Sequence, residues 1–387
     1  MEVGTPAIIE SGHTVNSVCY LGKSRIAYTN GHVVHVLDVI TSDRIELKHY
    51  SDIESELDVL CMCRISDDVL ATGCVSGTVY IWNLTEEHSE SRHIDFKNGT
   101  ESVKGICVND KEMPTSLIYC LDTSVNVWEL VTKKSKAYDM KPDDDIFRSV
   151  CALSKDVFAC TYANDIWLAN GESQTISHLK KEHTGNIHCV CSIGGYLASG
   201  SDDRTVRIWD TTTGNQLRVL EGHEGPVRCI CSLDDSTHIA TGSDDMTVRI
   251  WNIQTGECTL TLRGHTGSVL SICVLPIHAL PNDTGLKETD VCIVTGSSDS
   301  TVRIWAVTLD VLPAPAISSS AASAPSSAAS APSSSAAHVH GSKWFNPFKG
   351  GGASRRRNAK RHGKNRRTRH KTCRKTCRKT RRKTCRS

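Results

Sequence analysis

No stretch of about 18 apolar residues occurs in the 387-residue sequence, so a transmembrane helix is not expected. Met1-Glu2-Val3-Gly4 has no basic segment leading into an apolar one, which argues against a secretory signal. Glycine-rich phosphate loops before a helix, His-Glu-x-x-His strings and Gly-x-Ser-x-Gly strings are all missing. Nothing therefore supports an enzyme, and no cofactor is expected. Residues 12–310 lack a long segment of 3.6-residue period, which argues against helical repeats. Acid is missing from one place: residues 354–387 hold 18 Lys or Arg and no Asp or Glu. Taking those 18 from the 45 basic residues of the chain leaves 27 basic against 43 acidic in residues 1–353, a net of −16 facing a tail of +18. An acidic body with a basic tail suggests RNA, an acidic protein or an anionic surface as the tail's partner. The 18 Cys are spread over a large chain, which favours reduced thiols in cytosol or nucleus.

What is present is a repeat. Trp residues stand at 82, 128, 167, 209, 251, 305 and 344. The first six each end a short apolar segment after a turn, most clearly in Thr205-Val206-Arg207-Ile208-Trp209, Thr247-Val248-Arg249-Ile250-Trp251 and Thr301-Val302-Arg303-Ile304-Trp305. Their spacings are 46, 39, 42, 42 and 54 residues, and stepping back 45 from Trp82 reaches Leu37, a seventh copy without its Trp. Seven units of about 40–45 residues suit a closed β-propeller of four-stranded blades. One unit reads as strands at Val227–Ser232, Ile239–Ser243, Thr247–Trp251 and Cys258–Leu262, with Gly, Asp and Ser at the joins. After Trp305 the chain runs into Leu312-Pro313-Ala314-Pro315 without an outer strand, while Ala7–His13 parallels Arg218–His223. Residues 5–11 are therefore predicted to pair with the third strand of the last blade, closing the ring and removing an exposed edge. An extra loop, about Ile277–Asp290, falls between the first and second strands of that blade.

These residues resemble WD40 repeats over about 5–310, tightly in the last three blades and loosely in the first four. The resemblance implies a His, a Ser or Thr, an Asp and the Trp joined in one hydrogen-bonded tetrad per blade. Three full sets match: His183, Ser199, Asp203, Trp209; His223, Thr241, Asp245, Trp251; and His265, Thr295, Asp299, Trp305. In such a set the Asp holds the imidazole and the hydroxyl links imidazole to indole, so each buried polar group gains a partner. Losing Asp245 is expected to cost about 1–3 kcal/mol. The earlier blades depart from the pattern. Blade one has His13 but Gly31 at the Asp position, and blade two has Thr72 and Trp82 but Ser76. Blade three has Asp122 and Trp128 without the His, and blade four has a shortened turn, Tyr162-Ala163-Asn164-Asp165, before Trp167.

Repetition also decides how the His, Asp and Cys residues read. A tetrad recurring in each blade is scaffolding, whereas an active site converges on one pocket. The pairs Cys61/Cys63, Cys189/Cys191 and Cys229/Cys231 have alternating spacing on strands. Cys19, Cys189 and Cys229 lie six residues after the His of their blades, and Cys191, Cys231 and Cys273 lie eight after theirs. They follow the repeat as small buried residues, and no metal site is assigned. In WD40 proteins peptides often bind the face carrying the Asp turns. Here the resemblance places Thr184, Asn186, Glu224, Pro226, Thr266 and Ser268 on that face, with Asp202, Asp244 and Ser298 just before the turn Asp. Similar receptors for phosphorylated peptides often have Arg at these last positions. Asp twice and Ser once suggest basic or neutral peptides instead.

Residues 311–342 are Ser/Ala/Pro-rich, with Ala321–Ser327 repeated at Ala328–Ser334. With almost no bulky apolar side chain, this stretch reads as disordered linker. Residues 343–387 hold an aromatic island, Lys343–Phe348, and a basic tail. Asn346-Pro347-Phe348 matches the short peptide read by EH domains, and three residues make a weak match. The tail contains Arg355, Arg356, Arg357, Lys360, Arg361, Arg366 and Arg367 and ends in four Lys-Thr-x-Arg tetrads. Such runs suit nuclear or nucleolar targeting and phosphate binding, with cytoplasm and an anionic membrane surface as alternatives. The reading is an all-β, seven-bladed WD40 β-propeller that acts as a non-catalytic scaffold with a basic arm. The rival is a substrate adaptor in ubiquitin ligation or signalling, since the last three blades are similar to those of F-box/WD proteins. The ring begins by residue 12, which leaves no F-box ahead of it in this sequence. The oligomeric state is not legible.

Overall fold

A computed structural model describes residues 6–48, 58–85, 91–94, 101–138, 145–170, 176–179, 182–233, 237–280 and 290–308. The linker, the aromatic island and the basic tail lie outside the described residues, as do residues 281–289 of the extra loop. The described chain forms seven four-stranded antiparallel sheets. Blades one to seven begin at the inner strands Val18–Gly22, Val59–Ser66, Gly105–Val108, Phe147–Ala152, Ile187–Ile193, Val227–Ser232 and Val269–Leu275. Six blades take their strands in chain order from the inside out.

The seventh blade is completed by the N-terminal strand Ala7–Glu10, which pairs with Thr301–Thr308. Ala7 faces Ile304, Ile8 faces Arg303, Ile9 faces Val302 and Glu10 faces Thr301. The backbone N–H groups of Ser11 and Val15 then bond the carbonyls of Ser300 and Ser297, at 2.9 and 3.0 Å. The two ends of the ring are thus joined by a ladder rather than by packing alone.

The core lies between blades. Third strands such as Thr247–Asn252 bury Val248, Ile250 and Trp251, consistent with the β-branched and aromatic residues that a pleated, two-sided surface favours. One apolar cluster joins Ala198 and Ile208 of blade five to Val227, Ile239 and Trp251 of blade six. Another joins Ile26, Tyr28 and Leu37 of blade one to Val294, Val302 and Ala306 of blade seven, so the circle closes through its apolar contacts as well. No helix among the described residues is long and apolar enough to cross a membrane.

Register corrects two expectations drawn from spacing. Trp82, Trp128, Trp209 and Trp251 stand next to last in the second-to-third strand ladder, opposite Leu70, Leu117, Leu197 and Ile239, and Trp305, opposite Ile293, holds the same place in a ladder that runs two pairs longer. Leu37 holds that place in blade one, opposite Ile26. In blade four the place belongs to Ala169, opposite Phe158, and Trp167 sits two residues earlier, opposite Cys160. The shortened turn pulled this Trp out of the common position, and its indole donates to Asp165 at 3.2 Å. The second correction concerns Cys19. It faces Ala27, as Cys191 faces Ala198, so it is equivalent to Cys191 and not to Cys189. Blade one simply has a shorter lead from His13 into its first strand.

Candidate functional site

Blades five to seven carry three hydrogen-bonded chains of the same shape. In blade six, His223 Nδ1 lies 2.7 Å from Asp245 Oδ2, His223 Nε2 lies 2.8 Å from Thr241 Oγ1, and the Trp251 indole donates to Thr241 Oγ1 at 2.8 Å. In blade five, His183 is 2.7 Å from both Asp203 and Ser199, and Trp209 donates to Ser199 at 2.8 Å. In blade seven, His265 is 2.8 Å from both Asp299 and Thr295, and Trp305 donates to Thr295 at 2.9 Å. Counting donors gives one consistent proton arrangement. The indole N–H fills the hydroxyl oxygen, the hydroxyl proton goes to Nε2, and Nδ1–H goes to the carboxylate. The imidazole in this arrangement is neutral. Burial accordingly lowers the pKa of His183 and His265, against the opposing pull of their Asp partners.

Each Asp also ties two loops together. Asp245 Oδ2 takes the Glu224 N–H at 3.0 Å, and Oδ1 takes the N–H and hydroxyl of Thr247 at 2.9 and 2.6 Å. Asp203 and Asp299 repeat this with Thr184 and Thr205, and with Thr266 and Thr301. Burial alone would raise these carboxyls. The His and Thr bonds outweigh it, leaving Asp203 and Asp245 far below the usual range and Asp299 at about 2. The Gly two residues after the His is explained by the same closure. A Cβ on Gly225 would stand 2.8 Å from the Asp245 backbone nitrogen, and one on Gly185 would stand 2.7 Å from that of Asp203.

The earlier blades fill the tetrad space differently. Blade two keeps the Trp82–Thr72 bond at 3.0 Å. At the hydroxyl position blades one, three and four carry Tyr28, Tyr119 and Cys160, each fully buried. A bulky ring or a thiol replaces the polar chain there, which spares the blade a His and an Asp. His13 is exposed, while Asp122 instead accepts the Ser102 N–H at 2.9 Å.

The predicted binding residues fall on one face and pair within each blade. The N–H groups of Asp202, Asp244 and Ser298 bond the carbonyls of Asn186, Pro226 and Ser268 at 2.8, 2.9 and 3.0 Å. Thr184, Glu224, Thr266 and Ser298 are exposed. Two residues that the loop-based reading passed over complete this face: His188 and Arg228, each the second residue of an inner strand. Arg228 donates to Asp244 Oδ2 from Nε at 2.9 Å and from Nη2 at 2.5 Å, and its Nη1 lies 3.6 Å from Asp202 Oδ1. His188 Nε2 is 2.6 Å from Asp202 Oδ1, and burial lowers its pKa despite that partner. Burial raises the Asp244 carboxyl, but bonds from Arg228 and Ser268 more than offset this. The sequence signal was there: a polar residue follows the first apolar residue of an otherwise apolar strand.

Among the described residues no three His, Cys, Asp or Glu side chains gather as a metal ion would require. The basic-tail candidates Arg355 to Arg367 lie outside the described residues.

Comparison with known proteins finds WD40 repeats within residues 173–306. The family model described as "WD domain, G-beta repeat" matches residues 173–210, 214–252 and 256–306. Each of the last two matches begins two residues before the outer strand of one blade and ends in the third strand of the next, so the sequence repeat straddles two blades. Mitochondrial division protein 1 of Aspergillus niger is 29% identical over 44% of this chain and 28% of its own length. WD repeat-containing protein pop2 of Schizosaccharomyces pombe is 25% identical over 52% of this chain and 27% of its own. Pre-mRNA-splicing factor PRP46 of Eremothecium gossypii is 44% identical over 13% of this chain and 12% of its own. The chain thus matches about a quarter or less of these relatives' lengths. The crystal structure of the WD40 β-propeller domain of Doa1 superposes with a TM-score of 0.64 at 19% identity, covering 79% of this chain and 96% of that one.

Proposed function

The chain carries WD40 repeats and folds as a seven-bladed β-propeller, and on that premise we propose that it is a non-catalytic scaffold binding basic or neutral peptide segments of partner proteins. The face carrying the Asp turns is the binding surface. The observation that supports this is the charge balance there. On blades five and six Asp202, Asp244 and the exposed Glu224 outnumber Arg228, which is already committed to Asp244; Arg148 of blade four pairs with Asp145, and burial lowers the His188 pKa. A phosphate would meet excess like charge, whereas a Lys or Arg finds Asp202 with a carboxylate only partly engaged. The basic arm, from its sequence alone, is assigned to nuclear or nucleolar targeting or RNA attachment. Relatives named for splicing and for mitochondrial division leave the compartment to experiment.

Fluorescence anisotropy of the full chain against a Lys/Arg-rich peptide and a phosphopeptide of equal length tests the face. Tighter binding of the basic peptide, weakened by Asp202→Asn, supports the proposal. A preference for the phosphopeptide overturns it. Microscopy of the full chain and of the 1–312 form tests the arm, which loses its assignment if both distribute alike.

A further inference from the structure

Register places one Cys at the same inner-strand position in every blade. Cys19, Cys63, Cys107, Cys151, Cys191, Cys231 and Cys273 all face the equivalent second-strand residue, from Ala27 and Ala71 round to Ala240 and Val294. Six of these thiols, all but that of Cys231, line a cavity of about 620 Å³ on the axis of the ring, at the end away from the Asp turns. That size suits a small organic molecule.

The wall is neutral and apolar. Val18, Met62, Val108, Val190 and Ile272 stand among the sulfurs. Burial pushes Cys19 up to about 11 and raises the others too, so these thiols stay protonated. With protonated sulfurs and no metal ligands converging among the described residues, the ring works as a soft lining.

Among the described residues that line the cavity, Arg64, Lys111 and Lys155 outnumber Asp110. Asp110 accepts the N–H groups of Glu112 and Met113, at 2.9 and 3.2 Å, and Lys155 acts on it electrostatically. Arg64 is paired with Asp67. Lys111 and Lys155 also line the cavity, and among the described residues neither has an ion-pair partner within 4 Å. Lys111 acts electrostatically on thiols of blades two, four, five and six, which places its ammonium over the middle of the ring.

We propose that this thiol-lined end of the channel binds a small amphipathic anion, its apolar body against the sulfur ring and its acidic head on Lys111 and Lys155. The occupant and the peptide proposed for the opposite face would bind independently, so failure of one reading leaves the other standing.

Decanoate, decan-1-ol and decyltrimethylammonium are suitable probes for calorimetry on the full chain. Decanoate is expected to bind, the cation not, and Lys111→Gln with Lys155→Gln to weaken decanoate by about tenfold while leaving decan-1-ol unchanged. Both lysines lie on the bottom loops outside the core, so these changes leave folding intact. Modification by N-ethylmaleimide, followed by peptide mass spectrometry, gives a second readout. At about ten times the Kd, decanoate should slow alkylation of Cys63, Cys191 and Cys273 by about tenfold and leave Cys258 on its outer strand unaffected. Equal binding of anion and cation, no binding of decanoate, or binding without protection of the ring thiols would each overturn the proposal.

Discussion

Replacing Asp245 tests the tetrad where it is best connected. The side chain receives four bonds: one from His223, one from the Glu224 N–H and two from Thr247. His223 and Asp245 side chains are 1% and 8% exposed, so water replaces little of what is lost. Asp245→Ala leaves the imidazole N–H and the Thr247 N–H unpaired in the interior. At roughly 1–2 kcal/mol for each such group, the loss is about 2–4 kcal/mol. Asp245→Asn is the informative companion. Its amide oxygen still serves Thr247, and its NH₂ faces His223. The imidazole then carries its proton on Nε2, and the Thr241 hydroxyl turns toward the Arg249 carbonyl 3.4 Å away. That poorer bond, with the loop otherwise intact, sets a cost of about 1–2 kcal/mol. Urea unfolding followed by tryptophan fluorescence measures both, and unchanged m-values show that the folded and unfolded states keep their compactness. An Ala variant within about 0.5 kcal/mol of the parent would refute the structural role, since that is what an ordinary surface substitution does. Equal losses for Ala and Asn would refute the proton arrangement.

Removing residues 1–11 takes away the ladder on Thr301–Thr308 and exposes that edge, so the thermal midpoint should fall and aggregation rise; unchanged calorimetry would count against closure. Gly225→Ala forces a Cβ to 2.8 Å from the Asp245 nitrogen and should destabilise by about 1–3 kcal/mol in chemical denaturation, whereas a neutral result would mean that the loop has room to move. Acid should act in two stages. His35, lowered to about 4 by burial and by Arg44, binds fewer protons folded than unfolded, as do His183 and His265; stability is full above about pH 6.5 and erodes as pH falls toward 4. The depressed Asp203, Asp245 and Asp299 add a second loss as pH falls below about 4 toward 2, and an unfolding midpoint flat from pH 7 to 4 would contradict the first stage.

How much of this was readable beforehand depended on whether a position is set by local chemistry or by register. The His, the hydroxyl, the Asp and the Trp of blade six stand at 223, 241, 245 and 251, and their bonds need only a hairpin and one incoming loop, so the set implied by the WD40 resemblance carries over onto them residue by residue. Blade closure was readable for a similar reason: an outer strand was missing at one end and spare at the other. Trp167 misled because a Trp marks an apolar strand but not its place in the ladder. Only pairing with Cys160, two steps from Ala169, reveals the slip, and a two-residue shift keeps the side chain on the same face. Tyr28 and Tyr119 were invisible as tetrad substitutes because nothing in their own neighbourhood signals the space left by an absent His.

The same distinction explains the binding face. Asp202 and Asp244, read from their turns, look like free acid, and a surface judged by loops alone is simply anionic. The inner strands add Arg228 between them, and its two bonds to Asp244 spend one of the two charges within the protein. What remains for a partner is Asp202, shared with His188, and the exposed Glu224. Asp244→Asn therefore should not merely weaken a basic peptide. It releases Nε and Nη2 of Arg228, which keeps its 3.6 Å contact with Asp202 through Nη1 and presents the freed edge of the guanidinium beside the channel, the group suited to bidentate capture of phosphate. The variant is expected to lose affinity for Lys/Arg peptides and gain it for phosphopeptides, each by several-fold, for an exposed charge worth about 1 kcal/mol. A loss without the gain would mean that Arg228 finds Asp202 instead, 3.6 Å away in the parent, and that the pair of acids acts as a relay rather than as two separate sites.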